Sequence, residues 1–261
     1  MVRLLLLNCD TDRWHHPETY SKFLGIRNYA NYYPAQNKLP SEGEIRECEV
    51  ICIPGSDLYI HNEYPWMEKI YKVLDLAKSL DKILIGFCYG HQLICSYLGA
   101  KTGILDTPHI GDKGIVLTPL GRKLIGRQYI LTWSYHTNFV SDIAGTNLVS
   151  LCRFSNDFCI GYNKKGEVKI ITVQYHPEFR FHLRADQANL LPNGGQLPYI
   201  KYNRNIRRAL RKCQEEGCEG TNVTLEAFQQ HYLHDREDIN KLYYMYMSSV
   251  VIRRFMKRMV S

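Results

Sequence analysis

The sequence predicts an α/β protein with a mostly parallel central sheet flanked by helices and a helical extension at the C-terminal end. In the first hundred residues, short apolar runs alternate with stretches in which apolar residues recur at helical spacing. Between residues 114 and 175, short strand-like segments follow one another with only turns between them. Beyond residue 182 the composition changes to a basic, helical pattern. These observations indicate one core domain and an appended helical region.

Three apolar runs in the first part of the chain predict strands at Leu4–Leu7, Val50–Ile53 and 83–85. Runs without alternation are typical of strands that are covered on both faces, as in a parallel sheet. Helices are predicted over 66–77 and 93–98, because apolar residues recur there every three or four positions. The Tyr-rich segment between the first and second runs is compatible with either helix or loop.

The later part of the chain predicts further strands and then a domain boundary. Segments with strand character lie at 115–117, 129–131, 148–149, 159–161 and Val168–Val173. Two prolines and two glycines between residues 191 and 198 indicate a linker, and helical spacing returns over 199–213 and 224–259. We therefore expect a core domain of residues 1–182 and a helical, basic extension of residues 183–261.

Charge and cysteine content narrow the class of protein. The formal net charge is +7, and residues 181–261 hold 13 basic against 8 acidic side chains. The basic stripe at 204–212 lacks interleaved exposed aromatic residues, which favours a solvated face over a nucleic-acid site. No run reaches the roughly 18 apolar residues of a membrane helix. Nine scattered cysteines indicate free thiols in a reducing compartment, so we expect a cytoplasmic protein without a membrane segment or a metal site.

The strongest functional signal is the segment Gly-Phe-Cys-Tyr-Gly-His-Gln at residues 86–92, between a predicted strand and a predicted helix. A nucleophile on such a turn is held in a strained conformation, and flanking glycines let strand and helix approach closely. Cys88 would also lie at a helix N-terminus, where backbone N–H groups favour a thiolate. The alternative is a buried core cysteine, which the glycines two positions before and after Cys88 make the weaker interpretation.

A thiolate nucleophile needs a base and a group that orients the base. His176 and Glu178 follow the predicted strand Val168–Val173 and are separated by Pro177, which stiffens the turn. Both side chains would then be presented at the edge of the sheet. The alternative is a structural or surface histidine, which is the weaker interpretation of a His-Pro-Glu sequence after a buried strand.

With these two motifs, the chain resembles the class I glutamine amidotransferase family. The family's nucleophile motif reads Gly-x-Cys-x-Gly-x-Gln and its second motif reads His-Pro-Glu, and both are present. The resemblance covers about residues 1–180 and is greatest to stand-alone domains similar to the amidotransferase half of GMP synthetase. It implies a flavodoxin-like fold in which Cys88 is the nucleophile, His176 the acid/base and Glu178 the residue that orients His176.

The resemblance also implies roles for residues around this triad. Backbone N–H groups of Gly55 and Tyr89 would form the oxyanion hole, and Gln92 would help to hold the substrate. Family members often have His-x-Asp where this chain has His136 and Asn138. Asn138 keeps a polar contact for the substrate but lacks the charge of the aspartate.

The implied activity is hydrolysis of the glutamine side-chain amide through a glutamyl thioester, with no cofactor and no metal. The substrate would be a small molecule, either glutamine or a γ-glutamyl compound, and ammonia would pass to an acceptor site on a partner protein or be released. One alternative is a γ-glutamyl peptidase or hydrolase with the same triad. Another is a catalytically inactive interaction protein whose helical extension binds a partner.

Overall fold

The computed structural model of the protein describes residues 3–9, 16–62, 64–178, 211–213, 215–216 and 236–261, the last with side chains from residue 243. Its strands are β1 (Leu4–Leu7), β2 (Tyr29–Tyr32), β3 (Val50–Ile53), β4 (Ile83–Phe87), β5 (Lys101–Val116), β6 (Tyr129–Asp142), β7 (Leu148–Ser150), β8 (Phe158–Tyr162) and β9 (Val168–Val173). Its helices are α1 (Pro17–Leu24), α2 (Glu42–Glu47), α3 (Met67–Ser79), α4 (Tyr89–Tyr97), α5 (Pro119–Ile125) and α6 (Arg236–Val260), and a short 3₁₀ turn covers Pro34–Gln36.

Seven strands form one sheet in the order β2-β1-β3-β4-β9-β8-β7. The first five are parallel, and β8 and β7 are antiparallel additions at one edge. The predicted class, a mostly parallel sheet flanked by helices with a helix at the C-terminal end, is confirmed. Because β3, β4 and β9 are parallel neighbours, the segments that follow them meet at one edge of the sheet, where ligands bind in open α/β folds.

The sheet is covered on both faces, as the unbroken apolar runs predict. In β1, Leu4 and Leu6 face one layer, while Leu5 and Leu7 face the other. The first layer contains side chains of α1, α5 and α6, among them Tyr20, Phe23, Ile125, Ile252 and Phe255. The second layer contains side chains of α2, α3 and α4, among them Ile45, Ile70, Leu74, Leu93 and Ile94.

Strands β5 and β6 form a separate antiparallel ribbon. The sequence predicts only their ends, at 115–117 and 129–131. The strands are longer because they pair with each other along most of their length, whereas Gly103, Pro108 and Gly111 interrupt the apolar pattern of β5. Helix α5 between them was not predicted, and the Tyr-rich segment left open between helix and loop contains both α1 and β2.

Helix α6 lies against the first layer and reaches neighbouring backbone with its polar side chains. The hydroxyl of Ser248 accepts a hydrogen bond from the N–H of Leu131 in β6 at 2.9 Å. The guanidinium of Arg253 donates to the carbonyls of Phe23 at 2.9 Å and Lys22 at 3.1 Å, at the end of α1. The C-terminal helix is therefore fixed to both α1 and the ribbon.

The predicted linker at 191–198 and almost all of the predicted helix at 199–213 lie outside the described residues. The division into domains of residues 1–182 and 183–261 therefore stays a prediction. Among the helices that the structure describes, none is both long and apolar enough to cross a lipid bilayer.

Candidate active site

The turn between β4 and α4 holds Cys88 in a conformation that few non-glycine residues adopt, with φ of 48° and ψ of −104°. A Cβ atom on Gly90 would lie 2.0 Å from the carbonyl oxygen of Ile53, and one on Gly86 would lie 2.5 Å from that of Gly90. Both glycines are therefore needed for the close approach of strand and helix that the sequence predicts. The strained turn places the Cys88 thiol at the N-terminal end of α4.

The loop after β9 brings His176 and Glu178 together. Nδ1 of His176 lies 2.8 Å from Oε1 of Glu178, and the backbone N–H of His176 donates to the carbonyl of Trp133 at 2.9 Å. His176 also interacts with the thiol of Cys88. Burial lowers the pKa of His176, but Cys88 and Glu178 outweigh burial and raise it to about 10. The imidazole is thus held as an imidazolium beside the thiol at neutral pH.

The carboxylate of Glu178 is fully buried and has a second hydrogen-bond donor, Tyr20, which the sequence did not predict. The Tyr20 hydroxyl donates to Oε1 of Glu178 at 3.2 Å. The same hydroxyl accepts the backbone N–H of Gly55 at 3.3 Å. Tyr20 lies in the segment that the sequence left open between helix and loop, so no local pattern indicated this contact.

The two predicted oxyanion donors, the backbone N–H groups of Tyr89 and Gly55, differ in their hydrogen bonding. Tyr89 is the first residue of α4, so its N–H has no acceptor within the helix and lies directly after Cys88. Gly55 follows β3, next to this turn, but its N–H donates to Tyr20. Gly55 can therefore donate to an oxyanion only after its long hydrogen bond to Tyr20 has broken.

A chain of amides connects the ribbon to the thiol. The side-chain N–H₂ of Gln92 donates to the carbonyl of Asn138 at 2.8 Å and to Oε1 of Gln174 at 3.2 Å. Gln174, which the sequence did not single out, donates in turn to Sγ of Cys88 at 3.6 Å. Oε1 of Gln92 and Oδ1 of Asn138 are buried without a hydrogen-bond partner among the described residues. The chain of amides thus holds one buried acceptor without a partner on Gln92, and Asn138 beside it holds another.

His136, predicted as a substrate-binding residue, is buried in β6. Its Nδ1 lies 2.9 Å from the carbonyl of Asn138, and its ring stacks on that of His109 with centroids 5.7 Å apart. Burial lowers the pKa of His136 to about 4, so the imidazole is neutral. A neutral Nδ1–H that donates to Asn138 stabilises the backbone around Asn138. Its Nε2 is buried without a hydrogen-bond partner among the described residues, and its role in substrate binding stays a prediction.

Tyr135 lies next to Cys88, although the sequence did not indicate this contact. Its carbonyl oxygen lies 3.6 Å from Sγ of Cys88. Burial raises the pKa of the Tyr135 hydroxyl, and the neighbouring Tyr59, Asp57 and Cys88 add to this shift. The Tyr135 hydroxyl is therefore close enough to Tyr59, Asp57 and Cys88 for their charges to affect it.

Within the segments that the structure describes, no group of three or more His, Cys, Asp and Glu side chains has the arrangement of a metal site.

Most of the chain matches the model of a known protein family. The model of the class I glutamine amidotransferases, described as "Glutamine amidotransferase class-I", matches residues 27–193, which is more than half of the chain. The chain belongs to the class I glutamine amidotransferase family.

Proteins of several kinds are similar to this chain in sequence. A provisionally named glutamine amidotransferase from Saccharomyces cerevisiae is 28% identical over 198 residues, which are 72% of this chain and 74% of the yeast protein. Gamma-glutamyl peptidase 4 of Arabidopsis thaliana is 23% identical over 180 residues, which are 64% of this chain and 66% of the plant protein. A glutamine-hydrolyzing GMP synthase from Clostridium kluyveri is 32% identical over 97 residues, which are 36% of this chain but 18% of the synthase.

Solved structures share the fold at low sequence identity. A glutamine amidotransferase from Methylobacillus flagellatus has a TM-score of 0.65 at 14% identity, with 100% of this chain and 96% of that one covered. A glutamine amidotransferase from Thermotoga maritima has a TM-score of 0.62 at 12% identity, with 100% and 99% covered. These likenesses establish the fold.

Proposed function

We propose that this protein hydrolyses the side-chain amide of glutamine, with Cys88 as nucleophile, His176 as acid and base, and Glu178 as the residue that orients His176. The observation that carries the proposal is the contact of the strained Cys88 turn with an imidazole that Glu178 holds at 2.8 Å. A nucleophile, a base and an orienting group in hydrogen-bond sequence define an activated thiol. Membership of the amidotransferase family supports glutamine as the amide donor.

The first half of the reaction forms a thioester. The Cys88 thiolate attacks the γ-carbonyl carbon, and the carbonyl oxygen becomes an oxyanion next to the N–H of Tyr89. The His176 imidazolium then gives its proton to the amide nitrogen, the C–N bond breaks, and ammonia leaves with the imidazole neutral. The raised pKa of His176 supports this order, because the proton needed by the leaving group is present before attack.

The second half of the reaction restores the thiolate. Neutral His176 takes a proton from water as the hydroxide adds to the thioester carbon. The C–S bond then breaks, glutamate leaves, and the thiolate and imidazolium are paired again. Glu178 keeps its hydrogen bond to Nδ1 of His176 and orients the imidazole at both ends of the cycle.

Substrate orientation is assigned to the two free acceptors near the nucleophile. Oε1 of Gln92 and Oδ1 of Asn138 are suited to the α-ammonium group of glutamine, which brings three donors. Neither acceptor carries a charge, so recognition of the ammonium rests on neutral hydrogen bonds. This role for Gln92 and Asn138 is part of the proposal, whereas His136 is assigned to the backbone beneath them.

The ammonia acceptor is proposed to lie on another protein domain. The matched part of the Clostridium kluyveri GMP synthase is 18% of that protein, so the similarity ends well short of its full length. We infer that this chain supplies the amidotransferase half of such a reaction, and that ammonia is released where no acceptor domain is bound.

Labelling with 6-diazo-5-oxo-norleucine, a reactive glutamine mimic, tests the proposal. We expect one adduct per chain by mass spectrometry, mapped to Cys88, prevented by glutamine and absent in Cys88→Ala. The matched control is Cys48→Ala, which removes another buried thiol, one that donates a hydrogen bond to the carbonyl of Ile45; it should be labelled like the wild type. Labelling of Cys88→Ala, or a glutaminase rate that this variant retains, would contradict the proposal.

A second candidate is a γ-glutamyl peptidase, which the similarity to the Arabidopsis protein of that name favours. The same triad would cleave a γ-glutamyl amide with an amino acid as leaving group instead of ammonia. Protection of Cys88 from the label by a γ-glutamyl dipeptide but not by glutamine would replace the first candidate with this one.

A further inference from the structure

Tyr20 lies behind the catalytic residues, on the face of the sheet opposite to α4. Its ring is fully buried and contacts the ring of Phe87 at 5.1 Å between centroids, with the planes inclined by 57°. Phe87 is the last residue of β4 and directly precedes Cys88. The aromatic contact therefore fixes the Tyr20 ring to the strand that carries the nucleophile.

The hydroxyl of Tyr20 bridges two segments of the site that the sequence keeps far apart. It donates its single proton to Oε1 of Glu178, and its oxygen accepts the N–H of Gly55. Burial, together with the adjacent Glu178 charge, raises the pKa of Tyr20 well above its ordinary value. The hydroxyl therefore stays protonated and always has a proton to donate.

Helix α6 holds both ends of this contact. The hydroxyl of Ser249 donates to the carbonyl of Pro177 at 2.6 Å, in the turn between His176 and Glu178. Arg253 donates to two carbonyls at the end of α1, the helix that contains Tyr20. One rigid element therefore sets the distance between the tyrosine and the carboxylate.

We propose that Tyr20 is a positioning residue for amide hydrolysis, whose hydroxyl holds the Glu178 carboxylate in the orientation that directs Nε2 of His176 at Cys88. This inference rests on the proposed function of the Cys88 site. Glu178 uses Oε1 for both His176 and Tyr20, and its Oε2 is buried without a hydrogen-bond partner among the described residues. Among the described residues, Tyr20 is therefore the one hydrogen-bond donor to this carboxylate besides His176.

Loss of the hydroxyl has a defined consequence for the pH dependence. The titratable groups that face Glu178 are His176 after β9, Tyr20 from α1 and Cys52 from β3. Burial raises the pKa of Cys52 well above its ordinary value, so its thiol stays neutral. Without the Tyr20 hydroxyl, His176 is the one donor to the carboxylate among the described residues, and the carboxylate can turn away from it. Contact with Glu178 raises the pKa of His176, so that pKa falls when the contact loosens.

The test compares Tyr20→Phe with Tyr175→Phe in the full chain. Tyr175 is equally buried, and its hydroxyl has no hydrogen-bond partner among the described residues, so the control removes the same atom from a similar environment. For each variant, kcat, KM and the pH profile of glutamine hydrolysis are measured. The rate of Cys88 alkylation by iodoacetamide and the thermal unfolding midpoint are measured as well.

We expect Tyr20→Phe to lower kcat about ten- to hundredfold, the equivalent of one hydrogen bond to a charged group, with KM changed less than about twofold. We also expect the alkaline limb of the profile to move to lower pH, because the pKa of His176 falls when Glu178 holds it less well, while Tyr175→Phe matches the wild type. Equal kcat and equal profiles in both variants would overturn the inference. So would a loss in Tyr20→Phe that comes with a lower unfolding midpoint but an unmoved pH profile. A wild type that neither hydrolyses glutamine nor alkylates rapidly at Cys88 would instead reject the proposed function.

Discussion

Replacing Gly90 with alanine should damage both the stability and the catalytic turn. An added Cβ would lie 2.0 Å from the carbonyl oxygen of Ile53 and 2.7 Å from its carbon, whereas ordinary van der Waals contact begins at 3.4 Å. The helix start must then move about 1.4 Å from the end of β3, because the opposing atoms are backbone. The hydrogen bond from the Gly90 N–H to the carbonyl of Pro54, 3.1 Å long, would be strained by the same movement.

This displacement sets the expected losses of stability and of reaction rate in Gly90→Ala. Overpacking in a well-packed interior costs about 1–3 kcal/mol of unfolding free energy. A misplacement of about 1 Å at a catalytic group costs about a hundredfold in rate. Urea unfolding and the rate of Cys88 labelling by the diazo compound measure these two quantities separately.

Gly43→Ala is the matched control for this prediction. Gly43 is the second residue of α2, as Gly90 is of α4, and its added Cβ would approach only the Ser41 hydroxyl, at 3.9 Å. We expect this variant to label normally and to gain up to about 1 kcal/mol, because alanine favours the helix more than glycine does. If Gly90→Ala behaves like Gly43→Ala in both assays, the explanation of the turn by close approach is refuted.

Three further predictions concern protonation, the amide chain and the core. The wild type should be more stable than His176→Gln by the largest margin below pH 6.5, and this margin should shrink as pH rises through about 10, because folding raises the pKa of His176. A margin that grows with pH in urea titrations would contradict this prediction. Gln174→Leu should slow alkylation of Cys88 about tenfold at pH 7, since it removes an N–H donor to the thiolate, and an unchanged alkylation rate would refute this. Phe255→Ala should lose about 3–5 kcal/mol in urea unfolding because the ring is fully buried, whereas Phe154→Ala, at an exposed ring, should lose less than about 0.5 kcal/mol.

Local patterns predicted the parts of the site that local geometry determines. The turn at Cys88 needs glycine at 86 and 90 wherever a strand enters a helix this closely, so the motif alone indicated the nucleophile. His176 and Glu178 are two residues apart, and their contact needs only the turn at Pro177. The central strands were predicted for a similar reason, since burial on both faces demands continuous apolar runs.

Contacts between distant segments could not be predicted in this way. Tyr20 reaches Glu178 only because α1 and the segment after β9 pack on the same face of the sheet, and nothing adjacent to Tyr20 in sequence indicates that neighbour. Gln174 has the same difficulty, since its acceptor is a thiol 86 residues earlier. The ribbon strands were underestimated because β5 is largely exposed and carries glycine and proline, so pairing rather than burial stabilises it.

The hydrogen bond from Ser249 to Pro177 spans 72 residues of chain and has a consequence for biosynthesis. During translation, the nucleophile and its partners leave the ribosome well before α6, so the nascent chain carries an unsupported thiol for the time needed to make those residues. This hydrogen bond can form only after α6 has been synthesised and has packed, so a chain cut short before α6 would lack this support for the turn between His176 and Glu178.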